Sequence, residues 1–437
     1  MSKLRKLVNY YLPLWDFAYI LQLEEYNLPR YIAQVKLRLF KRNFEQRDHL
    51  MYTGRMKLTF VAFVGSLTLV SAALFLLRPL AVVALLIAMP IITPYAIAIC
   101  SYLVGVPTHI ARVRTLKAAA AKFKQDFPQV TVVGITGSFG KTTAKYMLQH
   151  VLQYTHRVSI VPDNINTALG IANHILANKV PQNTELLIVE MGAYTQGDIA
   201  ETATLLPPDF AILTILGDQH LERFGSQANL INGKSEIFTT NAKTVCYVTA
   251  QSASQINNQG ISTKQLISVD APQNKKSTPY LVAKIAVDLG VSNESIQSSL
   301  SSFEPPGRRN NIVERQGVTI IDNSYNISPM VAEAMLKEAA ATAASLGKTL
   351  VVMTGGIGEQ GTDGPQVNRN LAELLNTYAA RAILNPSVFA EHMYKTLNIP
   401  YQIAENGLDV SEHPAGWLAG ETELLLWLTG HGDLAYL

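Results

Sequence analysis

"VTVVGITGSFGKTTAKYMLQHVLQY", Val130 to Tyr154, passes from a β-branched run through a glycine-rich turn into a helical pattern. The turn, "TGSFGKTT", comprises Thr136, Gly137, Ser138, Phe139, Gly140, Lys141, Thr142 and Thr143. Backbone N–H groups of such a turn can cradle phosphates, with Lys141 on the terminal phosphates and Thr142 on Mg²⁺. The generic G-x-x-x-x-G-K-[ST] spacing is missed, because Gly134 lies one residue too far from Gly140. A glycine turn that merely caps a helix is the plainer alternative, but it seldom supplies strand, glycines, Lys and paired Thr together. The stretch therefore predicts a nucleotide-binding loop.

Downstream the same texture repeats. "ELLIVEM" precedes "DIAETATLL", and "FAILTIL" precedes a longer helical stretch. Strands alternating with helices predict a parallel α/β architecture. "QSASQINNQGISTKQ" (251–265) reads as a polar loop region.

Upstream the character changes. "LTFVAFVGSLTLVSAALFLL" (58–77) and "LAVVALLIAMPIITPYAIAICSYLVG" (80–105) are uncharged and separated by Arg78-Pro79. A run of about 20 apolar residues suffices to cross a bilayer's hydrocarbon core. The pair reads as a two-helix transmembrane hairpin, the second helix kinked or re-entrant at Pro90 and Pro94. Lys36, Arg38, Lys41, Arg42, Arg47, Arg55 and Lys57 precede it, and Arg112, Arg114, Lys117, Lys122 and Lys124 follow it. The positive-inside bias then places both ends in the cytoplasm, which makes the chain a multi-pass cell-membrane protein. The basic, amphipathic arm of residues 1–57 reads either as a helix on the inner leaflet or as a protein-packed helical arm.

The whole chain has 437 residues, 36 Lys+Arg against 33 Asp+Glu, and two cysteines. This balance gives no reason to expect a nucleic-acid partner, and two cysteines build neither a disulfide framework nor a Cys-rich zinc site.

Several motifs together resemble the Mur ligase family, the ATP-dependent amide ligases of peptidoglycan precursor synthesis. The loop resembles its T-G-[ST]-x-G-K-[TS]. "DNINTALGI" (163–171) is similar to N-x-N-N-x-x-G, with Asn164 and Asn166 kept but Thr167 in place of the second paired asparagine. "VEMGAYTQGDI", "ILGDQHLERFGS" with "GKSEIF", "PPGRRN" and "IDNSYNISP" resemble segments of the branch that adds the terminal dipeptide. The resemblance covers residues 130 to about 361. It implies a central ATP-binding domain (106–306) and a C-terminal Rossmann-like domain (307–437) that presents the amine. The nucleotide-sugar-binding domain with which the family normally begins has no counterpart here; the arm and hairpin (58–105) take its place.

Joining a carboxylate to an amine requires a better electrophile, and ATP supplies it as an acyl phosphate. The enzyme must neutralise clustered negative charge and align the reacting groups. The resemblance gives the phosphates to the loop, Mg²⁺ to Thr142, Glu190, His220 and a carbamylated Lys234, and the substrate to Asn164 and Asn166. It gives the nucleotide to Arg308, Asp322 and Asn326 as well. Phosphate contact or plain solvation are the alternatives for Lys234. Asn323 replaces the second aspartate of the family's pair, and Thr278 stands where its adenine-contacting asparagine falls. The implied partners are the lipid bilayer, a peptide or lipid-linked carboxylate, and an amino acid or dipeptide. Two rivals are a poly-γ-glutamate synthase-like ligase and a membrane P-loop ATPase that ligates nothing.

Overall fold

The computed structural model describes residues 12–24, 26–38, 50–163, 165–217, 221–239, 244–261, 266–272, 277–304, 311–323, 327–358, 360, 363–404, 410, 413–418 and 423–430. The chain divides into two compact units, 1–115 and 116–437.

In the first unit, helices Leu14–Leu23 and Leu28–Arg38 precede helix Gly54–Leu77 and the start of helix Pro79–Asp126, which continues past residue 115; both of the latter are long and apolar enough to cross a membrane. A soluble core helix would bury such a surface, yet only 6% and 28% of their most apolar windows are buried. Arg55 reaches Gly105 and Ser66 lies beside Cys100, so the two helices run antiparallel. The second helix continues through Pro90, Pro94 and Pro107, in contrast to the re-entrant alternative. The described arm helices pack against protein. Phe17, Leu21 and Tyr31 are buried in one cluster with Met89 and Ile97, and the Tyr31 hydroxyl donates to the Pro94 carbonyl at 2.8 Å.

The second unit is α/β. Its first sheet has six parallel strands in the order β2-β3-β1-β4-β5-β6: β1 Thr131–Thr136, β2 Val158–Ile160, β3 Leu186–Glu190, β4 Phe210–Leu213, β5 Val245–Thr249 and β6 Leu266–Val269. Between its terminal threonines β1 carries only apolar residues and glycine, because both faces are covered, as parallel sheets require. Val133 and Ile135 pack with Leu148 and Ile285 on one face, while Val132 packs with Phe123 and Ile171 on the other. Phe123 comes from the last turns of the long helix Pro79–Asp126. β1 leads outward to β2 and β4 leads outward to β5 on the opposite side, so a crevice opens at the carboxyl ends of the strands.

The second sheet orders β11-β10-β9-β12-β8-β7, from β7 Asn311–Arg315, β8 Val318–Asn323, β9 Thr349–Ile357, β10 Arg381–Leu384, β11 Tyr401–Ile403 and β12 Glu423–Gly430. Only β7 is antiparallel to its neighbour. This is the expected Rossmann-like C-terminal region.

One expectation is corrected. Of residues 251–265, read as polar loop, the stretch 251–258 lies in helix Ala250–Asn258. Thr249 caps it by accepting from the Ser252 N–H, and Ala253 and Ile256, three apart, bury one narrow face. So narrow an apolar stripe among serines, asparagines and glutamines leaves little periodic signal.

Candidate active site

The site is built where β1 turns into helix Lys141–Leu152. Gly137 and Gly140 have φ of +140° and +82°, the latter directly before the helix. A Cβ on Gly137 would sit 2.0 Å from Thr214 Oγ1, so a side chain is excluded twice, by backbone and by space. Thr214, just after β4, donates to the carbonyls of Thr136 (3.2 Å) and Phe139 (2.5 Å). The Ser138 hydroxyl donates to Gly217 O (2.8 Å), and its oxygen accepts from Gly217 N–H (3.1 Å). The loop is thus clamped from the neighbouring strand end before any ligand arrives. Thr278 Oγ1 lies 3.3 Å from the position of a Gly140 Cβ, which places it beside the loop.

Around this turn the structure assembles most of the residues singled out in the sequence. The Lys141 ammonium donates to the carbonyls of Gly137 (2.7 Å) and Ser138 (3.2 Å). The Thr142 hydroxyl donates to Glu190 Oε2 at 3.1 Å, and Glu190, the last residue of β3, is 3% exposed. Thr143 follows in the first helical turn, half-buried. Asn166 lies against Gly192, where an added Cβ would meet its amide at 3.0 Å. Lys234 is buried, and its ammonium donates to Ala193 O at 3.2 Å.

The electrostatics of Lys234 differ from those of a surface lysine. Burial, reinforced by the positive charge of Lys141, pushes its pKa well below the usual lysine range, with Asp198 opposing. At 1% exposed, Lys234 is not a solvated surface lysine in this structure. Flanking motif residues hold the local frame. Asp198 accepts from the N–H groups of Tyr194 and Thr195, and Glu236 accepts from those of Gly197 and Ala200. Their work is structural, fixing the start of helix Asp198–Leu205.

Asp322 lies at the carboxyl end of β8, in the second sheet. Asn164, His220, Arg308 and Asn326 lie outside the described residues. Among the described residues no group of three His, Cys, Asp or Glu side chains could hold a metal ion. Thr142 and Glu190 nevertheless form a pair of hard oxygen donors suited to Mg²⁺. The buried Thr136 Oγ1, in no hydrogen bond, fits a polar ligand there, and Glu190 Oε1, also in none, faces the Lys145 ammonium.

Sequence reasoning missed Lys145 and its partner Asp163. The Lys145 ammonium is 2.9 Å from Glu190 Oε1, 2.5 Å from Asp163 Oδ1 and 3.0 Å from the Val161 carbonyl. The signal was available: Lys145 stands three and seven residues before Leu148 and Leu152, on the buried side of the helix, where a lysine demands partners.

A glycine-rich phosphate loop at the carboxyl edge of a parallel sheet, followed by a second α/β sheet, defines a P-loop α/β protein. The chain matches the Mur ligase middle domain over residues 135–306. It is 28% identical over 240 residues to the UDP-N-acetylmuramoyl-tripeptide--D-alanyl-D-alanine ligase of Bacillus subtilis, covering 47% of this chain and 52% of that protein. The enzyme of that name from Treponema pallidum is 26% identical over 302 residues, 62% of this chain and 64% of its own length. The chain thus spans between about half and just under two thirds of these curated relatives. Among solved structures, MurF ligase from Thermotoga maritima in complex with ADP superposes with a TM-score of 0.63 at 21% identity, covering 74% of this chain and 81% of that one. MurF from Acinetobacter baumannii gives the same TM-score and identity, over 73% and 77%. At this identity the two structures speak for the fold.

Proposed function

We propose that the chain is a membrane-anchored, ADP-forming, ATP-dependent carbon–nitrogen ligase of peptidoglycan precursor synthesis. The observation that carries this reading is the convergence of Lys141, Thr142, Glu190 and Lys234 on one clamped glycine loop.

A substrate carboxylate, held on the side of Asn164 and Asn166, attacks the γ-phosphorus of ATP. ADP leaves and an acyl phosphate forms; an incoming amine then attacks the acyl carbon and expels inorganic phosphate. Lys141 and the loop amides stabilise charge on the phosphates. Thr142, Glu190, His220 and Lys234 would hold Mg²⁺, which supplies charge neutralisation between nucleotide and carboxylate. A carbamate on Lys234 suits this role, since CO₂ reacts with a neutral amine and the depressed pKa of Lys234 favours that form. Arg308, Asp322 and Asn326 complete the nucleotide contacts.

The substrates follow the curated relatives: a muramoyl peptide as the carboxylate, and D-alanyl-D-alanine or a single amino acid as the amine. The hairpin is read as the anchor, with the catalytic region on the cytoplasmic side. Leu76, Leu77 and Leu80, at the junction of the two long helices, are each at least 80% exposed, which suits lipid and not water. An anchored ligase acts on a lipid-linked or membrane-proximal acceptor. Mass spectrometry of reactions with ATP, D-alanyl-D-alanine and either UDP-linked or lipid-linked muramoyl peptide tests this. The lipid-linked product should dominate. Ligation of the soluble precursor at equal efficiency without detergent or lipid would overturn the acceptor assignment.

A further inference from the structure

Lys145 is fully buried, yet nothing in the chemistry above uses it. Its ammonium donates to the Val161 carbonyl and Asp163 Oδ1 and lies against Glu190 Oε1. The contact with Glu190 is an ion pair at 2.9 Å outside hydrogen-bond geometry. The other oxygen of Glu190 accepts from Thr142. Glu190 is thereby held by one oxygen from the lysine and by the other from the phosphate loop. Val161 and Asp163, in turn, open the segment that carries Asn164 and Asn166.

Stability alone does not account for this arrangement. Burying an ammonium is costly, and well-packed apolar replacements of buried ion pairs are often neutral or stabilising. What the lysine adds is register. It stands one helical turn after Lys141, so a single helix carries the phosphate contact, the contact to the β3 carboxylate and the contact to the acceptor-side loop. Two carboxylates against one ammonium also leave the cluster with one net negative charge (−2 + 1 = −1), suited to a cation.

We infer that Lys145 is a positioning residue that couples the acceptor loop at Asp163 to the metal-side carboxylate of Glu190. The inference rests on the reading of Glu190 as a metal ligand. Mn²⁺, whose free form is counted by electron paramagnetic resonance, serves as the probe, with ADP and the full-length protein in detergent. The double variant Lys145→Met/Asp163→Asn keeps the cluster's net charge, because it removes one charge of each sign. It should retain the wild-type thermal midpoint and bind ADP normally in EDTA. Its Mn²⁺ affinity with ADP present should fall roughly tenfold, as when a group that orients a metal ligand is lost. Mn²⁺ binding within twofold of wild type would show that Lys145 only neutralises charge, and would overturn the inference.

Glu190→Gln separates the two levels of the argument. Should it bind Mn²⁺ like wild type, the metal reading of Glu190 fails and this inference with it. Should it bind weakly while the double variant binds normally, the inference alone fails. Hydrogen exchange on the unmodified protein gives a second test that no folding defect can confuse. Adding Mn²⁺ and ADP should slow exchange in the peptide spanning 161–167, and unchanged exchange there would overturn the coupling.

Discussion

Two glycine loops in this chain look alike and are finished differently. "TGSFGKTT" begins at the last residue of β1, and "TGGI" (354–357) closes β9; each strand lies inside its sheet, each stretch precedes a helix, and each holds glycine at positive φ. In the first, a threonine from the adjoining strand end clamps the turn from behind, and Lys141, Thr142, Glu190 and Lys234 gather around it. In the second, the chain's own Asn368 fills the turn. Fully buried, it accepts from Ile357 N (2.7 Å) and donates to the carbonyls of Ile357 and Gly364 (2.9 Å each). A Cβ on Gly356 would lie 2.7 Å from its amide oxygen. Glycine and a helix start therefore do not make a phosphate site. What separates the two loops is whether a side chain of the fold already satisfies the turn and whether cationic and hard-oxygen groups converge on it.

The sharpest way to break this comparison is Gly137→Ala. The added methyl meets Thr214 in a backbone conformation that L residues rarely adopt. ADP binding by calorimetry should weaken at least roughly 100-fold, about 2.8 kcal/mol. Gly356→Ala should lower the thermal midpoint and leave ADP affinity unchanged; an equal loss of ADP binding would abolish the distinction between the loops.

Asn368→Ala sharpens the second half. It strands the N–H and carbonyl of Ile357 in the core, so unfolding free energy should fall by about 1–3 kcal/mol. Its ADP affinity should match wild type.

A smaller effect concerns Lys234. Folding holds its pKa below the unfolded value, so the unfolded chain binds more protons, and stability rises with pH through the window between the two values. In CO₂-free buffer, Lys234→Met should melt higher than wild type at neutral pH, with the gap narrowing as pH approaches 10.5. A pH-independent gap would mean that the ammonium is not penalised by burial.

Much of this was legible in the sequence because glycine conformation and strand texture are local. The loop, the parallel alternation and the hairpin all declare themselves within short windows. Lys145 did not, because its partners Asp163 and Glu190 lie 18 and 45 residues away and meet it only through the sheet order. The Asn368 plug was hidden for a similar reason: an asparagine in a helix reads as a surface residue until the preceding turn folds back onto it. Helix Ala250–Asn258 was missed because its stability comes from a threonine cap and two buried side chains. The N-terminal arm was half-legible, since composition alone does not separate a lipid-facing helix from one packed on a hairpin.

The central claim is that this loop serves a ligase and not a free-running ATPase. The direct measurement is ADP release by the full-length protein in detergent, with carboxylate and amine added singly and together. ADP should form at an appreciable steady rate only with both present, in step with amide product. Steady ATP turnover indifferent to either acceptor would contradict the account.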